Sequence, residues 1–425
     1  MPGSGSNRTA IVVGAGVIGV CCALHLQRRG IQVTLVDKAA PGEACSFGNS
    51  GRIASVLCAP RSQPGFVWGV PGMLANASHP LKISPGHFLK AFPWFWRFVR
   101  SGRPEAVERI AAGLFEICSR ADGAFDELVS FAGAGDRVRR NGFLYLYEDA
   151  GKVAAARKNI TFATDRGLVF NELSGDEARE IEPAVPASIK TAFHQPNEAL
   201  VIDPLALTNK LVECFLGLGG KLERTEVTGF GDDHRTLSSS SDVAPVLRTA
   251  SGVLRADSVV LAVGAWSEEL GRKLGLNLPI QAERGYHAEI GDPGIELKVP
   301  VSFGDRHLAV SPMDGRMRFS SGAQFAPVDE APDWRRLDQV LKSARHYFPN
   351  LRTEGHTRWV GGRPSTPDSL PLIGASQRHP QVYMASGHGM IGLTLAAITG
   401  QLIGEAVSGE TPATPLAPFS PDRFQ

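Results

Sequence analysis

Apolar positions near the start of the chain fall into a β-branched run, Thr9–Val13, followed by a stretch with helical periodicity, Val17–Arg29, that closes at Gly30. A second apolar run, Gln32–Val36, ends at Asp37. Two parallel strands joined by one helix make a βαβ unit. Further on, Phe143–Tyr147 reads as a strand and Asp203–Leu218 as a helix closed by Gly219-Gly220, with a strand after it through Val227. Ser258–Val263 is a fully apolar strand that runs into Gly264-Ala265-Trp266. Arg284–Ile290, Leu308–Pro312 and Met317–Ser321 read as strands separated by turns, one of them at Asp314-Gly315, and Gly389–Val407 as a long helix. Asp232–Asp242, which holds four consecutive serines, reads as a polar surface hairpin or loop, and no repeat of fixed period is present. This order predicts an α/β domain that is left and re-entered, with pieces near 1–110, 203–278 and 355–425. The intervening 111–202 and 279–354 are expected to form a second, α+β domain on an antiparallel sheet.

Composition narrows the class. At 425 residues and 43% apolar, the chain is long enough for two or three domains and too apolar for disorder. Its 44 basic against 43 acidic residues leave +1, which argues against a nucleic-acid partner. No unbroken apolar run reaches the ~20 residues of a membrane span. The six cysteines form no CxxC pair and no cluster with zinc spacing, so no metal is expected. Met1–Arg8 is a Gly/Ser tail, and the run behind it is broken by glycines, unlike a signal peptide. Free thiols then predict a cytoplasmic protein. Phe88–Val99, FLKAFPWFWRFV, leaves two readings open. It is either a segment packed by its own rings or an interfacial patch that touches a partner or sits peripherally on the inner membrane.

Gly14-Ala15-Gly16-Val17-Ile18-Gly19 is a GxGxxG set between strand and helix. Its glycines permit a tight turn, close approach of a pyrophosphate and close helix packing, and the helix N-terminus presents N–H groups to the anion. Asp37, 23 residues after Gly14, stands where a carboxylate accepts ribose hydroxyls. The motif alone does not separate NAD from FAD. The Gly/Ser-rich Gly42–Ile53 that follows, where a nicotinamide enzyme would continue with a helix, suits a chain wrapped along an extended diphosphate and ribityl. Gly387–Thr394 puts a glycine-rich turn at the head of an apolar helix, a second N-terminus able to stabilise negative charge. His388 in that turn is open to a catalytic or a structural reading.

Together with Leu26–Gly30, Glu283–His287 (ERGYH), Gly361–Gly374 and Pro418–Phe424, these motifs resemble the D-amino-acid oxidase and dehydrogenase (DAO) superfamily of FAD-dependent amine oxidoreductases over essentially the whole chain. Within it, the chain looks most like glyphosate oxidoreductase and iminodiacetate-type oxidases. The resemblance implies a Rossmann-like FAD domain of glutathione-reductase type, with a substrate domain whose antiparallel sheet roofs the flavin. It implies non-covalent FAD held by Gly14–Gly19, Asp37 and Lys38, then Ser46, Asn49, Ser50, Gly51, Arg52 and Ile53. Val227, Ala262, Gly264 and Trp266 would follow, and Gly389, Met390, Ile391, Gly392, Leu393 and Thr394 would meet the pyrimidine edge. Arg363 falls on the arginine that binds the substrate carboxylate, and Tyr286 and His287 would face the substrate. Met390 stands where glycine oxidase has a second arginine. A second substrate carboxylate would therefore need another cation, with Arg306, His307, Arg316 and Arg318 the candidates.

The expected reaction is oxidation of the C–N bond of a small amino acid by hydride transfer to flavin N5, giving an imine that hydrolyses. The expected substrate is a secondary amine such as an iminodiacid or N-substituted glycine. The alternatives are a D-amino-acid or D-proline dehydrogenase and, further off, a nicotinamide-dependent dehydrogenase. O2 or a quinone or electron-transfer chain would accept the electrons.

Overall fold

The computed structural model describes residues 8–54, 59–76, 79–84, 86–231 and 245–425, so the serine-rich Asp232–Asp242 expected as a loop lies outside the described residues. Thr9–Val13, Gln32–Asp37, Ser258–Leu261 and Val382–Ser386 are strands with most positions buried on both faces, the burial that βαβ crossovers impose on a parallel sheet. They lie in one six-stranded sheet, ordered Lys221–Arg224, Gln32–Asp37, Thr9–Val13, Ser258–Leu261, Val382–Ser386, Leu372–Ala375. All neighbours are parallel except the last pair, which forms an antiparallel edge. The helix Val17–Arg28 is buried almost all round, because Gly392–Ser408 covers the side that the sheet leaves free. Gly389–Ser408 is apolar and long enough to cross a membrane but is 67% buried inside the fold, where it acts as a core helix.

A nine-stranded, mainly antiparallel sheet faces the parallel one, and its long strands are Gln281–Ile290, Arg316–Phe325 and Thr357–Ser365. The helix Arg335–Tyr347 covers its far side, packing Leu337, Val340 and Ala344 into one cluster with Tyr286, Ala288 and Phe319. Two segments sit differently from expectation. Thr357–Ser365 pairs antiparallel with Gln281–Ile290, in register from Gln281 opposite Ser365 to Glu289 opposite Thr357, so it is a strand of the roof sheet and not part of the 355–425 nucleotide piece. Pro104–Phe131 carries one unbroken apolar stripe, Ile110, Leu114, Ile117, Ala121 and Phe125. That stripe buries against the parallel-sheet core and draws residues 111–131 away from the expected second domain.

The helix His87–Ser101 packs one face of Phe88–Val99 by its own rings and leaves the other face exposed. Trp94 is buried, stacks on Phe98 at 5.3 Å and donates to the Ser365 carbonyl at 3.0 Å. Phe88, Leu89, Phe92, Trp96 and Val99 are exposed. The nearby helix Phe66–Ala75 has no buried residue, and its Trp68 is 86% exposed.

Candidate active site

A cavity of about 940 Å³ opens between the carboxyl ends of the parallel strands and the roof sheet. This is the crevice in which open α/β sheets bind their ligands. Its walls come from Val13–Gly14, Val36–Lys38, Ala262–Trp266 and Ala385–Ser386 below, and from Gly285, Ser320–Ala323 and Gly361–Pro364 above.

Gly14 has φ +104°, and a Cβ there would sit 2.4 Å from the Ala262 carbonyl oxygen, so the turn admits only glycine. Asp37 ends its strand and accepts Ala15 N–H at 2.6 Å and Ala39 N–H at 2.9 Å, which seats its carboxylate against that turn. Ser46 Oγ accepts Val17 N–H at 2.9 Å at the head of the helix. Lys38 pairs with Glu226 at 3.0 Å beside the Trp266 ring, at the end of the cavity where Val227 also lies. The Gly42–Gly51 loop is pinned from above by the buried Arg318, which is paired with Glu289 and donates to the carbonyls of Phe47 and Asn49.

Of the residues expected at a cofactor, Gly14, Gly16, Val17, Ile18, Asp37, Lys38, Ser46, Asn49, Ser50, Arg52, Val227, Ala262, Gly264, Trp266, Gly389, Met390, Gly392 and Leu393 line the cavity. Ala15, Gly19, Gly51, Ile53, Ile391 and Thr394 do not. They stand just behind its walls, with Thr394 Oγ1 accepting Ala54 N–H at 2.9 Å. Arg52 reaches the cavity, but its guanidinium is engaged by Glu198 at 2.6 Å and by Tyr145 Oη at 2.6 Å. A Cβ on Gly264 would meet nothing within 4 Å, and one on Gly389 only Ser365 Oγ at 3.8 Å. Bare backbone thus faces open space at both places, a cradle that fits FAD from the Gly14 turn to the head of Gly392–Ser408. Cys45 donates to the Gly362 carbonyl at 3.0 Å, and burial pushes its thiol up to about 11. It is a neutral donor at this wall and not a nucleophile.

The pair expected to face substrate is corrected. Neighbours on a strand point to opposite faces. Tyr286 therefore sends its ring into the cluster beneath Arg335–Tyr347 and donates to Gln324 at 2.6 Å, its residue reaching the cavity only at the wall. His287 lies on the other face but is covered. It stacks on Trp359 at 4.9 Å, donates to the Gly48 carbonyl at 3.1 Å and is pushed down to about 3 by burial. His388 borders the cavity but is buried, hydrogen-bonded to Thr399 Oγ1 at 3.0 Å, and burial holds it at about 3. It is therefore uncharged at neutral pH, which favours the structural reading.

Arg363 donates to the Gly322 carbonyl at 2.8 Å and pairs with Glu283 at 3.4 Å. Its guanidinium lies over Gly285, where a Cβ would come 2.4 Å from Nη2. Glu283 is fully buried and also accepts Ser365 Oγ at 2.9 Å and Arg61 Nη1. Burial raises its carboxyl, but Arg61 and Arg363 together hold it below the usual range. Sequence reasoning quoted Glu283 in a motif without giving it work, and it missed Arg61. Of the four candidates for a second cation, His307 alone borders the cavity, held at φ 51° beside His79 and pushed down to about 4 by burial and by that neighbour. Arg306 faces His346, Arg316 is engaged by Glu289 and Asp203, and Arg318 by Glu289.

Residues 9–406 match the family model for DAO, FAD dependent oxidoreductase. A D-amino-acid oxidase of Bradyrhizobium diazoefficiens is 33% identical over 98% of this chain and 99% of its own length. Glycine oxidase from Geobacillus kaustophilus has a similar fold, with a TM-score of 0.76 at 22% identity over 98% of this chain and 99% of that one. Iminodiacetate oxidase from Chelativorans superposes with a TM-score of 0.71 at 20% identity over 97% and 98% of the two chains. With the glycine turn, its terminal acid and the roofed cavity in place, the chain belongs to the DAO family of FAD-dependent oxidoreductases, enzymes that act on amino acids and amines.

Proposed function

We propose that the chain oxidises the C–N bond of a small amino acid with a secondary amine, an iminodiacid or N-substituted glycine. The observation that carries this reading is Arg363, fixed by Gly322 and Glu283 on the roof of the cavity, where a planar fork grips a carboxylate. FAD, when bound, supplies the two-electron acceptor at N5. The chain's own work is orientation. Arg363 holds the carboxylate, the roof strands exclude water, and the head of Gly392–Ser408 offers a positive dipole end. His287 and His388 are neutral and take no proton near pH 7. The amine therefore gives up its proton to solvent before transfer.

A D-amino-acid oxidase or dehydrogenase is the second reading, favoured by the name of the 33% identical relative. Electrons would pass to O2 or to a quinone. A quinone route is supported by the exposed apolar faces of Phe66–Ala75 and His87–Ser101. Around them Lys82, Lys90, Arg97, Arg100 and Arg103 stand with no Asp or Glu between residues 59 and 104, a composition suited to an anionic lipid surface. Anaerobic mixing of the yellow holoprotein with iminodiacetate, sarcosine, D-alanine and hydroxy-D-proline tests the substrate. Fastest bleaching by iminodiacetate or sarcosine is expected, and bleaching by D-alanine or hydroxy-D-proline alone would shift the assignment to the second reading.

A further inference from the structure

Two guanidiniums, not one, line the cavity beside Glu283. Arg61 and Arg363 both line it, and both spend Nη1 on the same carboxylate, Glu283. Among the described residues, no acceptor takes a hydrogen bond from Nη2 or Nε of either arginine, so each fork keeps an edge for a ligand. Glu283 is 0% exposed, and burying a carboxylate is costly unless it is paired. A single arginine with its neighbour Ser365 would satisfy it. The second arginine comes from a different part of the chain, and its backbone is tied to Ser369 Oγ at 3.2 Å.

The charge balance gives this pair a ligand. Two guanidiniums and one carboxylate leave this part of the site with one uncompensated positive charge. An ordinary amino acid arrives as a zwitterion and leaves that charge standing. An amino acid with a second anionic group arrives with one net negative charge and cancels it.

We propose that Arg61 and Arg363, bridged by Glu283, form a two-pronged anion site that selects amino acids carrying a second anionic group, on the nitrogen or on the side chain. This rests on the amino-acid-oxidising reading above. Arg363 takes the carboxylate next to the reacting carbon. Arg61, the more exposed of the two, takes the other anion at the cavity mouth. Arg61 supplies the cation that the sequence motif at Met390 lacks, and it does so from a different segment of the cavity lining.

The test compares wild type with Arg61→Ala and Arg61→Lys, using matched pairs of holoenzyme substrates. Iminodiacetate against sarcosine reads an anion on nitrogen, and D-glutamate against D-alanine reads one on the side chain. In Arg61→Ala the kcat/KM preference for the diacid of the pair that turns over should shrink about tenfold or more, the worth of one hydrogen bond to a charged group. Arg61→Lys should recover part of it. A second arm needs no turnover: diglycolate, the ether analogue of iminodiacetate, and methoxyacetate are titrated against the flavin absorption spectrum. Diglycolate should bind wild type more tightly than methoxyacetate, and Arg61→Ala should lose that difference. Equal losses on both members of each pair, in turnover and in titration, would overturn the proposal and make Arg61 a bolt that closes the 59–75 segment. Failure of every amine to bleach the flavin, with the diglycolate preference intact, would overturn the amino-acid reading and keep the anion site.

Discussion

Replacing Arg363 by alanine tests the centre of the site. The substitution removes the fork assigned to the substrate carboxylate and also takes one of two cations from the buried Glu283. The first loss is that of one partner in a desolvated charge pair, about 2–5 kcal/mol, or roughly 30-fold to a few thousand-fold in kcat/KM. The second is smaller, because Glu283 keeps Arg61 and Ser365, and about 1–3 kcal/mol of stability is the expected loss. The variant should therefore fold and keep its flavin. Arg363→Lys restores a charge beside Glu283 but not two parallel bonds, so it should recover stability and little activity. Anaerobic stopped-flow reduction of the flavin isolates the oxidation step from reoxidation. The decisive comparison is a substrate against its methyl ester. Wild type should discriminate strongly between them and Arg363→Ala should not. Equal discrimination by the two proteins would refute this assignment and move the carboxylate to Arg61.

Stability should fall on mild acidification. The folded-state values of His287 and His388 are depressed to about 3 by burial, so the unfolded chain binds protons first. Their contribution is complete above the unfolded value of about 6.5 and is lost as pH drops toward 3, about 2 kcal/mol for each at pH 5. A melting temperature unchanged between pH 7 and pH 5 would contradict the burial of both rings. The exposed helices predict co-sedimentation with anionic vesicles at low salt, weaker binding to zwitterionic ones, and release by Trp68→Glu with Leu89→Glu, whose parent residues are 86% and 79% exposed. Equal binding by the double variant would place any lipid contact elsewhere.

What could be read from the sequence is what is local. The turn at Gly14, the acid at Asp37 and the head of Gly392–Ser408 are each set by residues within a few positions, and all three lie on the cavity. Arg363 stood out by its glycine neighbours, but its partner is set by strand register, with Glu283 directly opposite it across 80 residues of chain. Such pairs leave no periodic trace. Arg61 is further away, joined to Glu283 over 222 residues, and its one signal was a cation in a stretch without acids. Half of the Tyr286 and His287 expectation was ruled out by the sequence itself, since adjacent strand residues cannot share a face, and the other half by Trp359, which covers His287. Arg316 and Arg318 do share one, and the acid they meet there, Glu289, engages both.

The strand order of the parallel sheet bears on how the protein is made. Thr9–Val13 leaves the ribosome early, yet its neighbour Ser258–Leu261 follows some 245 residues later, and Val382–Ser386 later still. Val17–Arg28 is covered by Gly392–Ser408, nearly the last helix in the chain. Val17–Arg28 therefore waits for its cover with Cys21 and His25 bare, at the high contact order that slows folding and exposes chains to aggregation. A nascent chain stopped before residue 389 lacks both the cover for that helix and one wall of the cavity, so added flavin has no assembled site to stabilise. The cavity is complete only once Val17–Arg28 and Gly392–Ser408 have met.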